Sequence, residues 1–219
     1  MISIGNDIID LSAVDGQRSV DFKFFSKFIT ASEQALCNSF SEYLSMNNGV
    51  WLLWSIKEAV YKCCKRSQPD LIFSPINIVV RYINIPDVPF IIRNENSTIE
   101  IPNDTTRLYT GEVITGYEQF RFRSTIQPGF ISTIVDRDAN FEKVYWGVST
   151  IFSTDQVSQS GLVRHFALSK LRELYANDKF TIIKSSSGCP IIFNGNIESK
   201  ILLSLAHHNR FVSYCFKTA

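Results

Sequence analysis

Residues 51–66 constrain this chain more than any other stretch. They contain no Gly or Pro, and Leu53, Ile56, Val60 and Cys63 recur at helical spacing. The spacing predicts a helix with one apolar seam, which needs a partner surface to cover it. Glu58 and Lys62 stand four residues apart, so they share a face away from that seam. Upstream, Thr30-Ala31-Ser32-Glu33 has the spacing of a capping box and predicts a helix to about Phe40. Asn47-Asn48-Gly49 reads as a break between the two helices.

Most of the remaining apolar sequence has strand character. Residues 2–10, 76–83, 109–115, 120–126 and 130–135 read as strands, and so do 180–183, 191–193, 201–205 and 211–216. Residues 153–160 read as a polar linker, followed by a helix over 162–176. The two halves share a rhythm. Residues 2–10 and 144–151 are apolar strands containing a Gly, each precedes helical sequence, and each half ends in a strand. The expectation is an α+β fold with a pseudo-twofold arrangement of two halves, 1–143 and 144–219.

Composition narrows the class. A chain of 219 residues buries about 70% of its unfolded surface. Seventeen Phe and a 13% aromatic content exclude a disordered chain. Lys+Arg is 22 against Asp+Glu 21, so nucleic-acid binding through bulk charge is excluded. No window approaches the roughly 18 apolar residues of a membrane span. Asp7 and Asp10 interrupt the first apolar stretch, which lacks the basic flank of a signal peptide. The five cysteines form no CxxC, and the adjacent Cys63-Cys64 suits neither zinc nor a disulfide framework. A reduced, cytoplasmic setting is expected, with neither nucleic acid nor membrane as partner.

Asp7 follows Gly5-Asn6 at a strand end. Such a carboxylate either holds a hard cation or bonds its own turn. Glu58 and Lys62 are either an exposed ion pair or a metal carboxylate beside a phosphate-binding lysine. Mg²⁺ takes one or two carboxylates and completes its shell with water and phosphates. Asp7 and Glu58 would supply that pair if the strand and the helix meet. Trp51 and Trp54 read as core. His207-His208 could offer an imidazole to an anion or sit in a solvated turn, and Gly188-Cys189-Pro190 reads as a turn entering a strand. No Walker loop, GxSxG, HExxH or Rossmann fingerprint occurs.

Taken in order, these segments resemble the 4′-phosphopantetheinyl transferase superfamily. Ile4-Gly5-Asn6-Asp7-Ile8-Ile9-Asp10 resembles its Gly-x-Asp-x-x-Glu strand, and Phe28-Ile29-Thr30-Ala31-Ser32-Glu33 its Leu-Thr-x-x-Glu helix start. Trp54-Ser55-Ile56-Lys57-Glu58-Ala59-Val60-Tyr61-Lys62 matches the Trp/Phe-x-x-Lys-Glu-Ala/Ser-x-x-Lys signature. Gly188-Cys189-Pro190 and Ser204-Leu205-Ala206-His207 are similar to the Gly-Lys-Pro and Ser-x-Ser-His motifs. The length resembles the two-half pseudodimer type, with one site between the halves and the motif order permuted. A monomer is then expected.

The resemblance implies Mg²⁺-dependent transfer of 4′-phosphopantetheine from coenzyme A to a serine of an acyl or peptidyl carrier protein, a holo-acyl-carrier-protein synthase activity. It implies Asp7 and Glu58 as metal ligands, and Glu58 or a metal-bound water as acceptor of the serine proton. Lys62 would stabilise the leaving 3′,5′-ADP, and Lys57 would contact a phosphate. His207 would bond the 3′-phosphate, with Gly188, Pro190 and Arg164 around the nucleotide. Lys170 would add charge there, and Asp10 would orient a water on the metal. The chain departs from the pattern at Cys189, Ala206, residues 63–67 and Ile9. Those departures keep a second reading open, a relative that binds coenzyme A or a carrier without turnover.

Overall fold

The first strand, β1 (Ile4–Asp10), is buried along its whole length. A strand with solvent on one side alternates apolar and polar residues, whereas β1 is covered on both faces. Gly5, Asp7 and Ile9 face one layer; Ile4, Asn6, Ile8 and Asp10 face the other. The structure is a computed structural model that describes residues 3–92, 98–102, 104–116, 118–152, 155–176 and 179–218.

After β1 come two single-turn helices, α1 (Gly16–Ser19) and α2 (Phe22–Phe25), then α3 (Ala31–Ser39) and the long α4 (Met46–Lys65). The Thr30 capping box forms in full: Glu33 N reaches the Thr30 hydroxyl and the Glu33 carboxylate takes Thr30 N. α4 starts earlier than the sequence suggests. Ser45 caps it, and Asn47-Asn48-Gly49 lies inside its first turns rather than breaking it. Gly49 is buried there, where an added Cβ would stand 3.2 Å from Cys37 Sγ. Packing against α3 therefore overrides glycine's weak helix propensity.

Five strands make the first sheet: β2 (Ile78–Asn84), β4 (Tyr109–Thr115), β5 (Glu118–Ile126) and β6 (Phe130–Asp136), with β1 at the edge beyond β6. All neighbours run antiparallel. The seam of α4 lies on this sheet, with Leu53, Ile56, Val60 and Cys63 fully buried. Each such side chain contributes about 1.5–3 kcal/mol of apolar burial.

The second sheet runs β11 (Leu202–His208), β12 (Phe211–Lys217), β7 (Val144–Thr150) and the short β3 (Ile99–Glu100). Helix α5 (Gln156–Tyr175) covers it, packing Val163, Ala167 and Leu171 inward. Asp155 caps α5, so its first turn occupies part of the stretch expected as a linker; Ser153 and Thr154 of that stretch lie outside the described residues. A small third sheet joins β8 (Phe180–Lys184), β9 (Pro190–Asn194) and β10 (Ile197–Glu198). The architecture is mixed α+β.

The sheets meet along β1. Its edge amides are taken by side chains of β11: Asn6 N donates to Ser204 Oγ at 3.0 Å, and Asp10 N to His208 Nδ1 at 2.8 Å. Side-chain capping covers an edge that would otherwise offer itself for pairing. Ile4 and Ile8 join a second core with Phe130, Trp146 and Phe211, while Ile9 joins the core under α4.

Candidate functional site

β1 and α4 meet at Gly5. A Cβ there would collide with the Ala59 carbonyl oxygen, so only glycine lets strand and helix backbones approach so closely. Asp7 follows two residues on and on the same face. Its Oδ1 accepts from Lys62 Nζ at 2.9 Å, and the same ammonium stands 3.5 Å from Glu58 Oε1. Trp54, one turn earlier, donates its indole N–H to Glu58 Oε2 at 3.1 Å. The sequence reading placed Trp54 in the core. Its ring does pack edge-on against Phe28 and Phe73, and its nitrogen also fixes the carboxylate.

Two carboxylates and one ammonium leave this cluster one negative charge in excess. Asp7 carries the strain. Burial, with Glu58 nearby, outweighs Lys62 and pushes its carboxyl up to about 6. Asp7 Oδ2 is buried and has no hydrogen-bond partner. An orphaned carboxylate oxygen beside a second, partly exposed carboxylate fits a hard divalent cation that keeps water and phosphate in its shell. Among the described residues no cluster of three or more His, Cys, Asp or Glu is placed to hold a metal.

Lys62 also lines a cleft of about 240 Å³ with Tyr61, Lys65, Arg66, Lys184 and the turn at residues 187–190. A second cleft of about 170 Å³ shares Lys184, Gly188, Pro190 and Leu205 with it and adds Ser160, Arg164 and His207. The two clefts are lined by five cationic side chains and a histidine, and by no carboxylate. Such a surface selects anions. Burial and the cations Lys62 and Arg164 lower the pKa of His207, favouring a neutral imidazole. Asp7, Glu58 and Lys62 thus form one cluster. Arg164, Gly188, Pro190 and His207 line the adjoining clefts.

Three expected contributors face elsewhere. Lys57 is fully buried on another side of α4, where Nζ bonds Glu33 at 2.8 Å and the carbonyls of Pro75 and Ile78 at 3.0 and 2.5 Å. It ties α3 and α4 to β2 and reaches no cleft; one residue along a helix turns a side chain by about 100°. Asp10 points to the opposite face of β1 from Asp7. It accepts from Arg210 Nε at 2.9 Å, Asn209 Nδ2 at 2.8 Å and Ser12 Oγ at 2.7 Å. Burial opposes its charge, but those bonds outweigh it and hold the carboxyl well below the usual range. Lys170 pairs with Glu100 and Glu173 beside a separate cavity.

Sequence reasoning missed Lys65, Arg66 and Lys184. Arg66 Nη2 spans from α4 to the Pro190 and Leu203 carbonyls at 3.0 and 2.5 Å, fastening the first sheet's helix to the second half. These residues carry no local signature, because tertiary packing alone brings them together.

A family model for the 4′-phosphopantetheinyl transferase superfamily matches residues 3–124, more than half of the chain. The chain belongs to that superfamily. No curated protein sequence matches it. The matched span holds β1, α3 and α4, and with them Asp7, Glu58 and Lys62. The His207 and Gly188 side of the clefts lies beyond it. All five cysteines are free thiols, and Cys37 and Cys63 are pushed up to about 12 by burial. No helix of the described residues is long and apolar enough to cross a membrane.

Proposed function

We propose that this protein is a 4′-phosphopantetheinyl transferase that uses coenzyme A and an apo acyl or peptidyl carrier protein in a cytoplasmic setting. One observation carries the reading: Lys62 bonds the Asp7–Glu58 carboxylate pair and at the same time lines a cleft whose charged side chains are all cations. Asp7 and Glu58 would hold Mg²⁺. The ion supplies charge neutralisation at the coenzyme's pyrophosphate.

The carrier serine attacks the β-phosphorus, its hydroxyl proton passes to Glu58, and the bond to 3′,5′-ADP breaks. Trp54 orients Glu58 for that proton. Lys62, on a flexible stem between the carboxylates and the cleft, stabilises the leaving phosphate. His207, Arg164, Gly188 and Pro190 would surround the nucleotide. Phosphoryl transfer rests on positioning and charge neutralisation, so this small set suffices.

We further propose that halves 1–143 and 144–219 form a pseudo-twofold unit with the site between them, and that the protein acts as a monomer. Each half lays a 20-residue helix on an antiparallel sheet, although β3 crosses from the first half to pair with β7.

The test is mass spectrometry of an apo carrier incubated with the protein, coenzyme A and Mg²⁺. The expected result is a phosphopantetheine-sized mass gain, lost in Asp7→Ala and Glu58→Gln proteins that keep their fold. Normal turnover by folded Glu58→Gln sinks the assignment. Nucleotide binding without transfer to any carrier favours the non-catalytic relative.

A further inference from the structure

The cations around the double cleft differ in how far they are already engaged. Lys62 is held by Asp7 and Glu58. Lys65 donates to the Leu71 carbonyl at 2.9 Å and lies over the Tyr61 ring. Arg66 bonds two carbonyls. Arg164 Nη1 is turned back onto Ser160, 2.8 Å from its carbonyl and 2.7 Å from its hydroxyl. The Lys184 side chain, exposed at the end of β8, makes no hydrogen bond or ion pair among the described residues.

The turn beneath it supplies few donors. Ser185 N bonds the Cys189 carbonyl at 2.9 Å, Gly188 N the Ser185 carbonyl at 3.0 Å, and Cys189 N the Ser185 hydroxyl at 3.0 Å. Those three amides are used inside the turn, which leaves Ser186, Ser187 and the surrounding side chains to meet an anion there, and among these only the side chains carry charge. Gly188 has φ +87°, and a Cβ there would stand 3.5 Å from Lys184 Cε. The lysine stem therefore lies over the glycine, and Lys184 lines both clefts where they join. Cys189 in the same turn brings no charge.

We propose that Lys184 binds the phosphate that His207 and Arg164 face in the smaller cleft, and so sets the preference of this site for a 3′-phosphorylated nucleotide. This rests on the coenzyme A reading above. A neutral His207 supplies a donor without charge, Arg164 is partly engaged, and Lys184 supplies the missing full charge on a mobile stem. A charge-assisted bond of this kind is worth about 10- to 100-fold in affinity.

Calorimetric titrations with 3′,5′-ADP and with 5′-AMP, which lacks the 3′-phosphate, test the assignment on wild type, Lys184→Ala and Lys184→Arg. Wild type should prefer 3′,5′-ADP. Lys184→Ala should lose about 10- to 100-fold for 3′,5′-ADP and nothing for 5′-AMP, with Lys184→Arg recovering much of the loss. An unchanged melting temperature would show that the exposed position tolerates the change. In turnover, Lys184→Ala should raise KM for coenzyme A and leave kcat, while 3′-dephospho-coenzyme A should no longer distinguish it from wild type. Equal 3′,5′-ADP binding by wild type and Lys184→Ala overturns the proposal and leaves the transferase reading standing. So does an equal loss for both nucleotides, which would make Lys184 a source of diffuse charge. Tight, Lys184-dependent binding without transfer to any carrier overturns the transferase reading alone. Failure of wild type to bind either nucleotide overturns both.

Discussion

Helices α4 and α5 are each 20 residues long and each covers a sheet, yet they are built to different tolerances. Eleven residues of α4 are buried against five of α5. α4 sits on β1 through a glycine that admits no Cβ, whereas Gly161 in α5 has nothing within 4 Å of an added Cβ. The contrast follows what each helix carries. Glu58 and Lys62 must meet Asp7 from another element, so the α4–β1 distance is part of the site. α5 gives the clefts Arg164, a long side chain that reaches across a looser contact. Precision of packing follows the chemistry, and the two glycines are where that contrast can be broken.

Gly5→Ala should have the largest effect. The new methyl meets the backbone of Ala59 and Cys63, which cannot turn aside as a side chain could. Over-packing of this sort costs about 3 kcal/mol or more when backbone must move. Denaturant unfolding should show that loss, and any folded fraction should transfer poorly because Asp7 and Glu58 have been pushed apart. A variant within about 1 kcal/mol of wild type would mean that α4 does not depend on β1 for its seat.

The same contrast explains what could be read from the sequence. α4 was legible because a long apolar seam fixes its period, and Glu58 and Lys62 follow at i and i+4. Its first turns were not, because Asn47-Asn48-Gly49 carries turn propensity that the Ser45 cap and packing against Cys37 and Phe40 override. The start of α5 was misread for the opposite reason. Its first turns are polar, with Gln159 the one buried residue among 156–160, so they show no apolar seam, and the Asp155 cap is the one local signal. Asp7 was legible as a candidate carboxylate beside Gly5, although it lies in the middle of β1 and not at the strand end that the sequence suggests. The burial that makes it strained comes from two layers far apart in sequence. Lys57 shows the limit of motif reasoning: it adjoins Glu58 in the chain, yet Glu33 and two carbonyls hold it in the core. Lys184 and Arg66 lie close to motifs without belonging to them, and only the folded chain brings them to the clefts.

Asp7→Asn should give the next largest effect, with opposite sign. Burial pushes the Asp7 carboxyl up to about 6 in the folded chain, against about 3.9 for a free aspartate. Between those pH values the folded chain keeps a proton that the unfolded chain releases, so wild-type stability falls as pH rises from about 4 to 6. Asparagine removes that loss. In chelator-containing buffer the variant should be more stable than wild type at pH 7.5, with the gain shrinking below pH 6 and gone near pH 4. Thermal melts across that range check it. A destabilised variant at pH 7.5 would mean that the Lys62 ion pair outweighs the cost of burying Asp7. Stability gained and activity lost together would mark a carboxylate kept for chemistry against the interest of the fold.

Gly161→Ala should give the smallest change, and it tests the looser half of the comparison directly. Gly161 lies within α5, is exposed, has a negative φ, and would point an added methyl into open space. Replacing a helical glycine by alanine at such a place removes unfolded-state freedom and stabilises by about 0.5–1 kcal/mol. For a chain of this size that is a rise of roughly 2–3 °C in melting temperature. Transfer should be unchanged, since the residue touches neither the carboxylate cluster nor the clefts. A loss of stability would show that the first turns of α5 are packed against something the open space around Gly161 does not reveal. The two helices would then be seated with similar tolerance, and the contrast between them would fall. A gain at Gly161 beside a loss at Gly5, from the same one-methyl change, would put the close fit where the reacting groups converge.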